Sequence, residues 1–391
     1  MSESHRILYV SPVMPAFTGN GLAMRAAAVL EALAWRHAVS LLVVPLYPPY
    51  DEPIPGAIAG LCRESRVVAW APAIQLPSGT AVDLRAGAAA KAFANAAFDR
   101  VHVFRLAAIP YALTYLDPPH RPPPVRHLDL DEVESTVHRC RAAIHRTDGN
   151  EAAAQHEENE AERLAVIERH VLAEFDRIYV CSPNERTQLQ EAGSAATAEL
   201  HVLPNIVRPP HDPTTARTGP FSLLFVGTLG YFPNEDAVRR LAADIAPALR
   251  RKSERHMPIR VVGGGASSAL REFAETRGVQ LAGHVADLTP SYREAGAVVI
   301  PIVAGGGTRI KVLEAFAFDR PVVSTALGVE GLDVRDGEHV LLADDADLFA
   351  GHCVRLAEDP ELCAALVERA SEALHRSHTP EALRRVLRDV P

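Results

Sequence analysis

The chain has 391 residues, too many for one ordinary core and enough for two domains that each bury their own. Apolar residues make up 48% and charged residues 23%, as in ordinary soluble globular proteins. A net charge of −9 provides no global basic field and excludes a general attraction to nucleic acid.

The opening Met-Ser-Glu-Ser-His-Arg runs straight into a strand pattern and lacks the three-part layout of a signal peptide. No apolar run is long enough to span a bilayer. The five cysteines (Cys62, Cys140, Cys181, Cys353, Cys363) are odd in number and form no Cys-x-x-Cys pair. That argues for reduced thiols in a cytoplasm and against a zinc site. Arg121, Arg126, Arg139, Arg141 and Arg146 form a local basic group, either solvated surface or a contact for an anionic partner. Peripheral membrane contact stays open on this reading.

In chain order, Ile7 to Pro12 reads as a strand, and a loop with Pro15, Gly19 and Gly21 follows. A helix is predicted from Leu22 to Trp35, with Leu22, Ala26, Val29, Leu30 and Leu33 at helical spacing. Ala38–Val44 is a second strand, so the order is that of a parallel α/β sheet. Further strands are predicted at Arg66–Trp70, Arg100–Phe104, Arg177–Cys181 and Glu199–Leu203, with a charged helix over Glu151–Glu174. Ile206 to Pro220 holds four prolines and reads as a linker.

The pattern then restarts. Phe221–Val226 is a continuous apolar run, expected of a strand buried on both faces. A helix is predicted over Asn234–Leu249, then strands at Ile259–Val262, Val279–Ala282, Val298–Pro301, Pro321–Ser324 and Val340–Ala343. A helix over Arg309–Ala317 lies among them, and helical segments from Leu348 to Leu387 close the chain.

Pro301 to Glu314 carries the most chemistry. A buried strand ends, Gly305, Gly306 and Gly307 follow, and a helix begins near Thr308, a reasonable N-cap. Ligands of open α/β sheets bind outside the carboxyl ends of the strands. Arg309 and Lys311 would lie in the first turn, where the helix dipole disfavours a cation by about 0.3–1 kcal/mol. Two cations beside free amides and glycines suit a bound diphosphate; the alternative is that both point into water. Glu314 lies three residues after Lys311. It is either half of a surface pair worth about 0.2–0.5 kcal/mol or an acceptor for two ribose hydroxyls.

This stretch, continued as Ala-Phe-Ala-Phe-Asp-Arg-Pro-Val-Val-Ser-Thr to Thr325, resembles the donor-site signature of family 4 of the GT-B glycosyltransferases, the glycosyl transferases group 1 domain. It is most similar to the bacterial branch with a Gly-Gly-Gly-Thr-Arg-Ile-Lys turn. The resemblance extends to Phe225–Leu229 with Gly227 and Thr228, to Pro233-Asn234, and to Val261–Gly265 with Gly264. It continues through Ala282–Asp287, with His284 and Val285, and through Gly328–Leu332. It covers nearly all of the second half.

The resemblance implies a GT-B fold, two Rossmann-like domains facing across a cleft. It implies a nucleotide diphosphate sugar as donor, a saccharide or small-molecule acceptor, and retention of anomeric configuration. Glu314 fits the second of the family's two glutamates, the one that contacts the donor ribose in relatives. The first would fall at Gly306, so one contact to the donor sugar is missing. Arg309 and Lys311 would lie near the diphosphate, and His284 and Val285 beside the base; His284 could equally be a loop residue without a ligand.

In the first half, Gly19-Asn20-Gly21 resembles the glycine loop that faces the donor phosphates, although Met24 stands where a third glycine of the dinucleotide fingerprint would be. Asp129 to Ser135 resembles an Asp-x-x-Glu-Ser segment of the same branch. Asp131 or Glu132 could orient an acceptor hydroxyl or act as its base, or the segment is an acidic helix cap. His102 reads as a satisfied core histidine. With Arg309 and Lys311 to neutralise phosphate, no metal and no cofactor are required.

The domains expected are residues 1–205 for the acceptor, a linker over 206–220, residues 221–375 for the donor, and a helix over 376–391 that could return to the first domain. The activity expected is glycosyl transfer to an acceptor hydroxyl. A sugar-nucleotide 2-epimerase and a non-catalytic nucleotide-sugar-binding protein are the alternatives.

Overall fold

A computed structural model describes residues 4–19, 21–46, 52–69, 74–75, 81–83, 85–147, 149–193, 197–208, 219–305 and 308–388. The chain divides into two compact units. Unit 1 comprises Met1–Ser135, Glu160–Pro204 and Leu383–Pro391, and unit 2 comprises Thr136–Asn159 and Asn205–Ala382. This division departs from a single boundary near residue 205, because residues 136–159 pack with the second unit.

The main sheet of unit 1 has seven strands among the described residues: β1 (Arg6–Ser11), β2 (Ala38–Val43), β3 (Glu64–Val67), β4 (Arg100–Phe104), β5 (Val125–Asp131), β6 (Arg177–Val180) and β7 (Glu199–Val202). They lie in the order β3-β2-β1-β4-β5-β6-β7, every neighbour parallel. The inner strands are buried on both faces, which is why they read as apolar runs. Helix α1 (Gly21–Ala34) packs Ala26, Ala27, Val29 and Leu30 into the core, on the spacing the sequence shows.

Strand β5 departs from expectation. Its sequence Val-Arg-His-Leu-Asp-Leu-Asp alternates polar with apolar residues, yet His127 and Asp129 are as buried as Leu128. Asp129 is tolerated inside because Arg25 of α1, itself buried, meets it at 2.7 Å. The acidic segment beginning at Asp129 is therefore the end of a central strand, and helix α2 (Glu134–Thr147) follows it. Helix α3 (Glu151–Leu172) comes next, close to the predicted charged helix.

A second polar row crosses the same sheet. Tyr9, His102, His127 and Tyr179 lie side by side, with ring centroids 5.4–5.8 Å apart from one to the next. Both ring nitrogens of His102 are buried without a hydrogen-bond partner. It is a core histidine, but not a satisfied one. Burial, with a smaller push from Arg25, lowers its pKa to about 3.

Unit 2 repeats the plan with six strands: β8 (Leu223–Val226), β9 (Ile259–Val262), β10 (Val279–Gly283), β11 (Ala297–Ile300), β12 (Val322–Ser324) and β13 (Leu341–Leu342). Their order is β10-β9-β8-β11-β12-β13, all parallel. The order reverses between β8 and β11, and in such sheets the carboxyl ends at the reversal are where ligands bind.

Helix α4 (Phe232–Arg240) follows β8 and continues through a π turn, Leu241–Ile245, into Ala246–Lys252. Helix α5 (Ile310–Ala317) follows β11. The closing helical region is three helices, α6 (Ala346–Glu358), α7 (Pro360–Ser377) and α8 (Pro380–Arg388). Asp345 and Asp359 cap the first two, accepting from the amides of Leu348 and Leu362 at 2.9 Å each.

Candidate functional site

The loops at the reversal point of unit 2 are pressed together by glycines. A Cβ on Gly263 would lie 1.8 Å from the carbonyl oxygen of Gly227, so the ends of β8 and β9 touch backbone to backbone. Gly265 has φ +90, and a Cβ there would meet the amide of Gly230 at 2.8 Å. The Leu229 amide donates to Gly264 at 2.7 Å, which fixes the 227–231 turn against the 263–265 turn. Thr228 is exposed on it.

Asn234 locks the same turn from below, donating to the Thr228 carbonyl at 2.8 Å. Its Oδ1 accepts from Lys311 Nζ at 2.6 Å, and the ammonium lies 4.3 Å from the centre of the Phe225 ring. Burial, reinforced by the charge of Arg309 and opposed by Glu314, brings the Lys311 pKa down to about 7. Arg309 turns back on its own loop and donates to the carbonyl of Gly305 at 2.8 Å. Neither cation tip stands in bulk solvent.

The helix start differs by a residue from the sequence reading. Arg309, not Thr308, occupies the N-cap position of α5, and no side chain caps it. Thr308 is buried, and its hydroxyl accepts from Asn205 at 2.8 Å. The first turn carries no acidic residue to offset the positive end of the dipole beside Lys311. Gly305 has φ +106; Gly306 and Gly307 lie outside the described residues.

Glu314 is half-buried rather than a surface residue, and no ion pair joins it to Lys311 among the described residues. Its Oε2 accepts from the Tyr292 hydroxyl at 2.7 Å, and Tyr292 is stacked on Phe318 at 4.7 Å. Burial raises the pKa of this carboxyl, while Tyr292 and Lys311 pull it down. His284 follows β10, is exposed, and has its Cβ 3.4 Å from where a Cβ on Gly264 would be. Val285 is half-buried and packs on the core.

In unit 1, Gly19 is exposed with φ +108, and Gly21 opens α1. Asp131 ends β5 with φ +62, and Arg105, just past β4, has φ +70. Two non-glycine residues in the left-handed region at the ends of adjacent strands are costly, about 1–3 kcal/mol each. They hold each other: Arg105 meets Asp131 at 3.3 Å, Glu132 at 3.1 Å and Glu134 at 3.1 Å. Arg25 approaches Asp131 at 3.6 Å. Asp131 and Glu132 are thus held at the carboxyl edge of the sheet by Arg105 and Arg25. Beside them, burial first and Asp131 second raise Glu185 to about 7.

The sequence reading brought Gly227, Thr228, Gly264, Arg309, Lys311 and Glu314 to one end of one sheet. It gave no role to Asn234 and Tyr292, which hold Lys311 and Glu314, or to Arg105 and Arg25, which hold the acidic pair. Pro233-Asn234 was visible as a motif, but its Lys311 partner lies far along the chain. Arg105 carried no local signal.

Comparison with known proteins bears on this site. Residues 220–359 match the family described as Glycosyl transferases group 1. That segment holds the whole of the unit 2 site. The chain is 33% identical over 128 residues to the phosphatidyl-myo-inositol mannosyltransferase of Mycolicibacterium smegmatis, covering 30% of this chain and 32% of that protein. It is 27% identical over 249 residues to the D-inositol 3-phosphate glycosyltransferase of Rhodococcus jostii, covering 55% of this chain and 53% of that one. The chain thus matches about a third and about half of the length of these relatives.

Among solved structures, sucrose-phosphate synthase from Thermosynechococcus elongatus superposes with a TM-score of 0.69 over 98% of both chains at 17% identity. HepE of Anabaena, solved with UDP and glucose, gives 0.64 over 98% of both chains at 15% identity. These likenesses show the fold, which is GT-B, with two Rossmann-like units.

Proposed function

We propose that the protein is a glycosyltransferase that takes a sugar from a nucleoside diphosphate held by unit 2. The observation that carries this is the half-buried Lys311, its ammonium placed beside Arg309 at the uncapped start of α5. A free lysine avoids such a place, and a diphosphate supplies the charge that offsets it. The glycosyl transferases group 1 segment and the relatives named as glycosyltransferases support the same reading.

In this reading Lys311, Arg309 and the amides of Thr308 and the first turn of α5 stabilise charge growing on the leaving diphosphate. The glycines Gly227, Gly264, Gly306 and Gly307, with Thr228, give the phosphates and base close access to backbone. Glu314, held by Tyr292, accepts from the ribose hydroxyls, and His284 and Val285 border the base. Asp131 and Glu132 of unit 1 serve the acceptor hydroxyl. No metal or cofactor takes part, because the cations neutralise the phosphates. The acceptor is a saccharide or small-molecule hydroxyl, and retention rests on the resemblance to family 4.

The test is release of nucleoside diphosphate from UDP-, GDP-, ADP- and dTDP-sugars with a panel of polyol and saccharide acceptors, with and without EDTA. One donor should turn over, EDTA should leave the rate unchanged, and Lys311→Ala and Glu314→Ala should each lower it by about 100-fold. Wild-type rates in both variants would remove the assignment of the site.

A further inference from the structure

Within unit 2, part of the chain that precedes the sheet lies on the loops just described. Residues 136–159, the bulk of α2 and the start of α3, group with unit 2. His145 packs on Phe232 with ring centroids 5.1 Å apart. Cys140 lies within the fields of Glu330 and Arg309. One turn of α2 therefore rests on the 231–233 turn.

Arg141 is the next residue on this turn. Its guanidinium lies 5.8 Å from the centre of the Tyr231 ring. The Tyr231 hydroxyl is in turn 3.4 Å from where a Cβ on Gly305 would be, so ring and glycine loop adjoin. The Nε of Arg141 is buried and has no hydrogen-bond partner. Three other basic residues of the group noted in the sequence are differently placed. Arg121 and Arg126 bind backbone carbonyls of unit 1, at 2.7 Å to Ala96 and 3.1 Å to Leu116. Arg146 pairs with Glu158 at 3.2 Å and Glu151 at 3.8 Å.

An arginine set over an aromatic ring, with a buried N–H left over, is set up to receive an anion in the plane of its guanidinium. The anion that belongs beside the Gly305 loop is the diphosphate. We propose that Arg141 is a third cation of the donor site, supplied by α2, and that it binds the phosphates of the nucleotide together with Arg309 and Lys311. This rests on the donor reading of unit 2. It accounts for why α2 is held on the 231–233 turn by His145: the helix sets the guanidinium over Tyr231.

The test is isothermal titration of the full chain with UDP, GDP, ADP and dTDP, and with the matching nucleosides, at two salt concentrations. For the nucleotide that wild type binds best, Arg141→Gln should raise Kd about tenfold and flatten its salt dependence. Arg141→Lys should recover part of the loss. Affinity for the matching nucleoside should not change, and Arg146→Gln should behave as wild type. An unchanged diphosphate affinity in Arg141→Gln would overturn the inference. So would an equal loss for nucleoside and diphosphate, which marks a structural role. If wild type binds no nucleoside diphosphate at all, the donor reading itself fails and this inference falls with it.

Discussion

Lys311 is the residue on which most depends. Its folded pKa of about 7 lies well below the ordinary 10.5, because its ammonium is withdrawn from water beside another cation. A diphosphate reverses that balance and pulls the pKa back up. Binding should therefore take up a proton near pH 7.5, and affinity should fall as pH rises above about 7, where the free ammonium is lost. The terminal phosphate of the nucleotide titrates near 6, below this window. Calorimetry in buffers of different ionisation enthalpy reads the uptake directly, and it should vanish in Lys311→Met. The sign for stability follows from the same shift. Between pH 7 and 10.5 the unfolded chain holds the proton that the folded chain has shed, so this lysine makes stability rise with pH across that window.

Asp129 and Arg25 make a second residue-scale case. Both side chains are almost fully buried and meet at 2.7 Å, and Arg25 also donates to the Leu203 carbonyl at 3.0 Å. Removing one partner leaves the other charge stranded. Asp129→Asn should cost about 3–5 kcal/mol in urea unfolding. A loss below 1 kcal/mol would show that water reaches the pair.

At the scale of elements, the paired turns after β8 and β9 depend on absent side chains. Gly263→Ala sets a methyl 1.8 Å from the Gly227 carbonyl, a backbone atom that cannot rotate away. The turns must part, and the cost should be at least about 3 kcal/mol, with loss of nucleotide binding. Denaturant midpoints and titration of the purified variant measure both. Much of this site was legible beforehand. The 305–314 run of glycines, cations and helix start is local, so a sequence window contains it. Strand β5 was not, because its buried His127 and Asp129 imitate the polar face of a loop, and only contacts with α1 and the neighbouring strands reveal why they are inside. Nor could the grouping of 136–159 with unit 2 be read, since the charged pattern of α2 names no partner.

At the scale of the whole molecule, the two units carry different burdens. Unit 1 encloses the Tyr9, His102, His127 and Tyr179 row. His102 stays neutral in the fold down to about pH 3, while in the unfolded chain it takes a proton near 6.5. Stability contributed by keeping it neutral is whole above pH 6.5 and is lost as pH falls from there towards 3, up to about 5 kcal/mol. Burial lowers His127 in the same direction. Acid should therefore unfold unit 1 before unit 2, read by hydrogen exchange at pH 4–5, and His102→Leu should narrow the gap.

The central claim is that unit 2 holds a nucleoside diphosphate where its strand order reverses. A crystal structure grown with UDP, GDP, ADP or dTDP tests it most directly. The account expects the diphosphate at the start of α5, within hydrogen-bond reach of Lys311 or Arg309, with the ribose on Glu314. A well-ordered nucleotide bound elsewhere on the chain, with Lys311 still held only by Asn234, would contradict it.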